Sequence, residues 1–204
     1  MADRDVRWQF SHHPGESGPG WEVEAGPFTG LRYPGGLRTV SEAEAKRRGE
    51  YEADLAGHLV EVLAAPPVSF HDIGAAEGYY AVGIARRGIP TTAYESSAIQ
   101  RSALQRVAAA NGVGLSLRRH CRRLPAPAPG SLVMMDVEGA EGVLICDGDA
   151  GRLAGSTLIV ELHDVFAPSV TERVRAALEP THRAEILDSS ERDGLARWGV
   201  FRPR

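Results

Sequence analysis

The stretch Val68-Ser-Phe-His-Asp-Ile-Gly-Ala-Ala-Glu-Gly-Tyr-Tyr-Ala-Val-Gly-Ile-Ala-Arg-Arg87 constrains the fold of this chain more than any other. Val68, Phe70 and Ile73 form a short apolar run of strand length, and Val82, Ile84 and Ala85 continue it at helical spacing. Gly74 and Gly78 mark the change of period. A buried strand that turns sharply into a helix is the opening of a doubly wound α/β domain.

Such a turn is also a place for a ligand. Gly74 can bend the backbone or admit a ligand where a Cβ would clash, and free N–H groups at the start of the helix face the space above the strand end. Asp72, one residue inside that end, adds a carboxylate. A dinucleotide fingerprint requires Gly-x-Gly-x-x-Gly. Here the run is Gly74-Ala75-Ala76-Glu77-Gly78, with alanine at the second glycine position and a negative side chain where a diphosphate would rest. S-adenosylmethionine has no phosphate, and its sulfonium and ammonium are positive, so the acidic loop favours it over a nicotinamide dinucleotide. A methyltransferase is therefore expected ahead of a nicotinamide-dependent oxidoreductase. The alternative without a ligand is an ordinary strand-to-helix turn.

The 204 residues are 43% apolar and 25% charged, enough for one domain with a sizeable core. A formal net charge of -4 gives no reason to expect a nucleic-acid or membrane surface, which leaves a small-molecule substrate as the expected partner. Cys121 and Cys146 belong to no Cys-x-x-Cys pair, so a reducing compartment is expected, with one disulfide left open. The first residues lack a signal-peptide pattern and no apolar run is long enough to span a bilayer. These features together predict a cytoplasmic protein. Oligomeric state stays open, a homo-oligomer included.

Residues 1–50 are expected to form an N-terminal arm and helix, and 51–204 the main domain. Trp8, Phe10, Trp21, Phe28 and Tyr33 lie among Pro14, Pro19, Pro27 and Pro34, a mixture that suggests an ordered arm. Residues 26–34 could close over the substrate side as a lid or simply pack on the surface. Ser41 with Glu44 fits a capping box, and Leu55, Leu59, Val62 and Leu63 stripe a helix over 51–64. Thr91 to Tyr94 reads as a second strand, and Glu95 follows 21 residues after Gly74, a separation suited to a carboxylate that binds ribose hydroxyls, with Ser96 beside it. A helix over 99–110 ends at Asn111-Gly112, and a third strand at 115–117 leads to His120 and Cys121, candidate neighbours of an adenine. The arginines around them, Arg118, Arg119, Arg122 and Arg123, fit an exposed turn or an acidic substrate. Leu132 to Met135 reads as a strand covered on both faces, ending at Asp136-Val-Glu-Gly-Ala-Glu141. Thr157 to Val160 is a fifth strand, finished by Glu161-Leu-His-Asp164. A helix at 169–178, with Ser169 or Thr171 as its cap, precedes two strand candidates at 183–187 and 197–201 joined through 189–194.

These pieces resemble class I S-adenosylmethionine-dependent methyltransferases, and among them the FkbM-type family. The matching segments are Asp72-Ile-Gly-Ala-Ala-Glu-Gly-Tyr-Tyr80, Tyr94-Glu95, Ala110-Asn-Gly112 and Asp136-Val-Glu-Gly-Ala-Glu141. The resemblance implies an α/β, Rossmann-like fold with a mostly parallel seven-stranded sheet and an antiparallel C-terminal edge strand. It also implies an O-methyltransferase acting on a hydroxyl of a small molecule, natural product or sugar. Asp72, Gly74, Ala75, Glu77 and Gly78 would then form the methionine-side loop, Glu95 and Ser96 the ribose site, and Asp136 the acid below the transferred methyl. Ala76 departs from the family's Asp-x-Gly-Ala-Asn-x-Gly pattern, and this motivates a second alternative, a scaffold that binds the cofactor without catalysis.

Methyl transfer to a hydroxyl needs alignment, exclusion of water and a destination for the proton. His163, just beyond the fifth strand, is the best base candidate, with Asp136 to orient it or the acceptor. The same atoms could hold a divalent ion, Mg²⁺ or Mn²⁺, through Asp136 with Glu161, His163 or Asp164.

Overall fold

A computed structural model describes residues 19–37, 39–188 and 196–204; the expectations for Trp8, Phe10 and the 189–194 connection lie outside these. A two-stranded antiparallel ribbon, β1 (Trp21–Glu22) and β2 (Arg32–Tyr33), comes first. It is followed by helices α1 (Ala43–Arg48) and α2 (Ala53–Ala64). Strands β3 (Phe70–Ile73), β4 (Thr91–Tyr94) and β5 (Ser116–Arg118) then alternate with helices α3 (Tyr79–Ala85) and α4 (Ala98–Ala110). Strand β6 (Leu132–Met135), helix α5 (Glu141–Ile145), strand β7 (Thr157–Leu162) and helix α6 (Val170–Leu178) complete the winding, and β8 (His182–Asp188) and β9 (Arg197–Pro203) end it.

The seven strands from β3 onward form one sheet in the order β5-β4-β3-β6-β7-β9-β8. All neighbours from β5 to β7 are parallel, and β9 runs antiparallel to both β7 and β8, between which it is inserted. The expected mostly parallel sheet with an antiparallel C-terminal strand is present. Alternation along the strands divides the core in two. Phe70, Leu132, Met134, Ile159 and Trp198 pack with α2, α3 and the N-terminal segment on one face. Ile73, Val133, Met135, Val160 and Phe201 pack with α5 and α6 on the other.

Register decides what stands at the edge of the sheet. Ile73 is opposite Tyr94 on one side and Met135 on the other, and Met135 is opposite Val160. The next residues along the four strands, Gly74, Glu95, Asp136 and Glu161, therefore form a row at the carboxyl ends. The row crosses the gap between β3 and β6, where the winding reverses and doubly wound sheets bind their ligands.

The segment before α1 is part of the packing. Val23, Phe28, Leu31 and Tyr33 are buried in the first core. The ring of Phe28 lies where a side chain on Gly83 would be, since a Cβ there would come within 2.5 Å of it. Asn111 brackets Arg32, accepting from its N–H at 2.9 Å and donating to its carbonyl at 2.8 Å, as a strand partner would. Trp21 stacks on Tyr33 with ring centroids 4.0 Å apart.

Two helix starts differ from expectation. The Ser41 to Glu44 capping box does not form: α1 begins after Glu42 with no side-chain cap, and Glu44 turns to Arg47 and Arg48 instead. At α6 the Ser169 side chain makes no cap, while Asp164 accepts from both the N–H and the hydroxyl of Thr171. In both places a charged partner across the turn outcompetes the local hydroxyl.

Because Phe28 fills the space above Gly83, Phe28→Ala should lower unfolding stability by about 3–5 kcal/mol in denaturant titration. A loss below about 1 kcal/mol would mean that this segment is laid on the domain without supporting it.

Candidate functional site

Gly74 has φ +95°, and a Cβ there would sit 1.6 Å from the backbone oxygen of Asp136. Glycine is required by the approach of the β6 end, a backbone contact within the protein. The loop N–H groups are also spoken for. Those of Gly74 and Ala75 donate to the carbonyl of Tyr94 at 2.9 and 3.1 Å, that of Ala76 to Glu95 Oε2 at 2.9 Å, and that of Gly78 to Ala75 at 2.8 Å. The row of free N–H groups expected at this turn is thus replaced by internal bonds, which leaves nothing resembling a diphosphate cradle at these four positions. Ala76 has φ +45°, a conformation in which asparagine is more at home than alanine, so the family's residue fits the backbone better than this chain's own.

Glu95 is held rigidly. Its Oε2 accepts from Ala76 and its Oε1 from Ser97 N–H at 2.6 Å, which leaves each oxygen a further lone pair. Ser96 beside it is exposed, and its carbonyl accepts from Arg101. His120 is exposed and Cys121 half-buried, its thiol donating to the Arg123 carbonyl at 3.3 Å. Cys121 and Cys146 are free thiols.

A cavity opens under the loop, lined by Asp72, Gly74, Ala75, Glu77, Tyr79 and Asp136 on one side and by Lys46, Tyr51 and Trp198 on the other. Burial, followed by the charge of Asp136, pushes the Asp72 carboxyl up to about 8. Glu77 is wholly buried; its Oε1 accepts from Lys46 Nζ at 2.6 Å and from the Tyr33 hydroxyl at 3.2 Å. Sequence reasoning placed Glu77 beside the ligand but missed Lys46. The one signal was that Lys46 is the only lysine of the chain.

His163 lies at the far end of the row, nearly buried among carboxylates. Its Nδ1 meets Glu141 Oε1 at 2.9 Å, and that oxygen also accepts from the N–H groups of Val137 and Gly139. Its Nε2 faces Glu138 at 3.5 Å, Glu161 at 3.8 Å and Asp136 at 3.9 Å. Burial opposes charging the imidazole, but the hydrogen bond and charge of Glu141, with Asp136 and Glu138, raise its pKa above the ordinary value.

Asp136, Glu141 and His163 bring metal-ligand atoms within 4.8 Å of one another. Glu141 Oε1 already takes three donors, including Nδ1–H, while its Oε2 is buried without a hydrogen-bond partner and is the oxygen open to an ion. A metal-binding histidine commonly gives its second nitrogen to such a carboxylate. The nitrogen left for an ion is Nε2. Donor atoms around an ion bonded at about 2.1 Å lie roughly 3.0–4.2 Å apart, and the three Nε2 to carboxylate distances fall in that window. Asp136 and His163 come together with Glu141 as candidate ligands, in place of the expected Glu161; Glu161 and Glu138 face Nε2 but stand outside that cluster, and Asp164 is committed to α6.

No family model matches the chain, and no curated protein matches it in sequence. Solved structures do match in fold. A Pyrococcus abyssi tRNA (uracil-54, C5)-methyltransferase in complex with S-adenosyl-L-homocysteine superposes with a TM-score of 0.58 at 14% identity, over 85% of this chain. The chain spans only 42% of the length of that enzyme. The ribosomal protein L11 methylase of Lactobacillus delbrueckii subsp. bulgaricus gives 0.55 at 16% identity, covering 76% of this chain and 79% of its own. The O-methyltransferase TomG of Streptomyces achromogenes, in complex with S-adenosylmethionine, gives 0.51 at 17% identity, covering 72% and 77%. The chain has the class I S-adenosylmethionine-dependent methyltransferase fold.

With its pKa near 8 in the folded protein and near 3.8 when unfolded, Asp72 is protonated only in the native state between those values. Wild-type stability should fall as pH rises through that window, by up to about 1.4 kcal/mol per pH unit from this group. Asp72→Asn lacks the loss, so its melting temperature relative to wild type should climb from pH 4 to pH 8 and then level off. A constant difference would show that Asp72 stays ionised in the fold.

Proposed function

We propose that this chain is an S-adenosylmethionine-dependent methyltransferase that acts on a hydroxyl oxygen of a small molecule, natural product or sugar. One observation carries the reading: Gly74, Glu95, Asp136 and Glu161 stand in a row across the point where the winding reverses, in a fold used by methyltransferases. Two features favour an adenosyl amino acid over a dinucleotide. Four N–H groups of the loop, those of Gly74, Ala75, Ala76 and Gly78, are occupied, and the cavity is lined by the carboxyl groups of Asp72, Glu77 and Asp136. The FkbM-type resemblance supports oxygen as the acceptor atom.

In this reading Glu95 accepts hydrogen bonds from the ribose hydroxyls, with Ser96 alongside, and His120 and Cys121 border the adenine. Asp72 and the Gly74–Gly78 loop hold the amino-acid end. The cofactor supplies a methyl carbon bonded to a positive sulfur. Asp136 orients the acceptor hydroxyl, and His163, fixed by Glu141 through Nδ1, takes the hydroxyl proton at Nε2 as the O–C bond forms and the C–S bond breaks. The proton then passes to water. The neutral sulfur of the product loses its attraction to the acidic wall, which favours release.

A second reading rests on the cluster of Asp136, Glu141 and His163. Mg²⁺ or Mn²⁺ held by these three would lower the pKa of a bound hydroxyl, and Asp136 would act as ligand in place of orienter.

Asp136→Asn should leave the affinity for S-adenosylhomocysteine within about threefold and cut turnover at least about 100-fold, a transition-state loss near 2.7 kcal/mol. Equal losses in calorimetry and turnover would remove its substrate-side role. Glu95→Ala should weaken S-adenosylhomocysteine and 5′-methylthioadenosine alike, by roughly 10- to 100-fold, because both carry the ribose. For the metal reading, millimolar Mn²⁺ should raise the melting temperature of wild type by several degrees and leave His163→Ala unchanged. No shift in either protein would eliminate the ion.

A further inference from the structure

Lys46 is anomalous as a lysine. It is 2% exposed, comes from a six-residue helix outside the sheet and lines the same cavity as Asp72 and Asp136. Its ammonium lies 4.5 Å from the ring centre of Tyr51 and 5.8 Å from that of Tyr79, which shield it from water. An ammonium has three N–H donors, and Glu77 Oε1 takes one of them. A buried lysine with donors to spare needs an acceptor that the protein has not supplied.

Opposite charge is in the same condition. Glu77 Oε2 and Asp72 Oδ2 are both buried without a hydrogen-bond partner, and both residues line this cavity. Leaving such groups unsatisfied is costly, more so when they are charged. The cavity therefore offers a cationic donor beside two carboxyl groups with unpartnered oxygens, Glu77 and the protonated Asp72. A phosphate would satisfy Lys46 and leave those oxygens unpaired; a simple amine would do the reverse. The chemistry that satisfies both is an ammonium and a carboxylate on one carbon.

We propose that Lys46, anchored by Glu77, binds the α-carboxylate of the cofactor's amino-acid end, and that Glu77 and Asp72 receive its α-ammonium. This rests on the methyltransferase reading and adds to it a residue from the N-terminal segment. Glu77 has two parts, holding Lys46 with one oxygen and the ligand with the other. The proton that burial places on Asp72 is displaced when the ammonium arrives, so binding releases it. The arrangement makes the α1 segment a structural condition for cofactor affinity.

The test compares ligands on the unaltered protein by calorimetry: S-adenosylhomocysteine, S-adenosyl-3-thiopropylamine, which lacks the carboxylate, and 5′-methylthioadenosine, which lacks the amino-acid end. Removing the carboxylate should weaken binding at least 30-fold. In Lys46→Met, S-adenosylhomocysteine should weaken by a similar factor, while 5′-methylthioadenosine stays within twofold. Because Lys46 is the only lysine, protein labelled with [¹³Cε]lysine gives one side-chain signal for it. That signal should move with S-adenosylhomocysteine and stay in place with 5′-methylthioadenosine, a readout that needs no variant. Equal affinity for the first two ligands with an unmoved lysine signal would overturn the clamp and leave the methyltransferase reading standing. Failure of all three adenosyl ligands to bind would overturn both.

Discussion

The contact between Gly74 and the carbonyl of Asp136 holds the site together. A Cβ at position 74 would lie 1.6 Å from the Asp136 carbonyl oxygen, so no side chain can stand there and the end of β6 comes close against the turn after β3. That closure sets Asp136 against the loop and lets Ala76 N–H reach Glu95. The tight turn after the first strand of a doubly wound sheet usually serves a ligand; here it serves the neighbouring strand, and a cavity lined by Asp72, Glu77 and Asp136 lies beside it.

Around this closure the charges are distributed unevenly. Glu95 is balanced by backbone N–H groups, Glu77 by Lys46, and Glu141 by His163 and two further N–H groups. Asp72 has a backbone hydrogen bond from Ala81, which burial and the charge of Asp136 outweigh, so that its pKa rises to about 8. The strand edge is thus ordered by hydrogen bonds at Glu95 and left with unpartnered buried carboxyl oxygens at Asp72 and Glu77.

Much of the fold was legible because it depends on local pattern. The apolar strand Leu132–Met135, the α2 stripe of Leu55, Leu59 and Leu63, and the Asn111 terminator of α4 each follow from neighbours in sequence. No helix among the described residues is long and apolar enough to cross a membrane. What depended on distant partners was misread. Ser41 and Ser169 looked like caps, but Arg47, Arg48 and Asp164 settled those ends. Nothing near Glu77 in sequence told that one of its oxygens is engaged by a lysine 31 residues earlier.

The sequence by itself determined the alternation of strands and helices, the glycine turn with its acids, and the absence of a dinucleotide fingerprint, since all are written in spacings shorter than one helix. The tertiary structure alone decided which carboxylates share an edge. Parallel register brings Asp136 and Glu161 into line from separate strands, and folding of the first helix brings Lys46 to Glu77. Charge pairing acts through space over a few ångströms, and chain order carries no record of which distant residues will come that close.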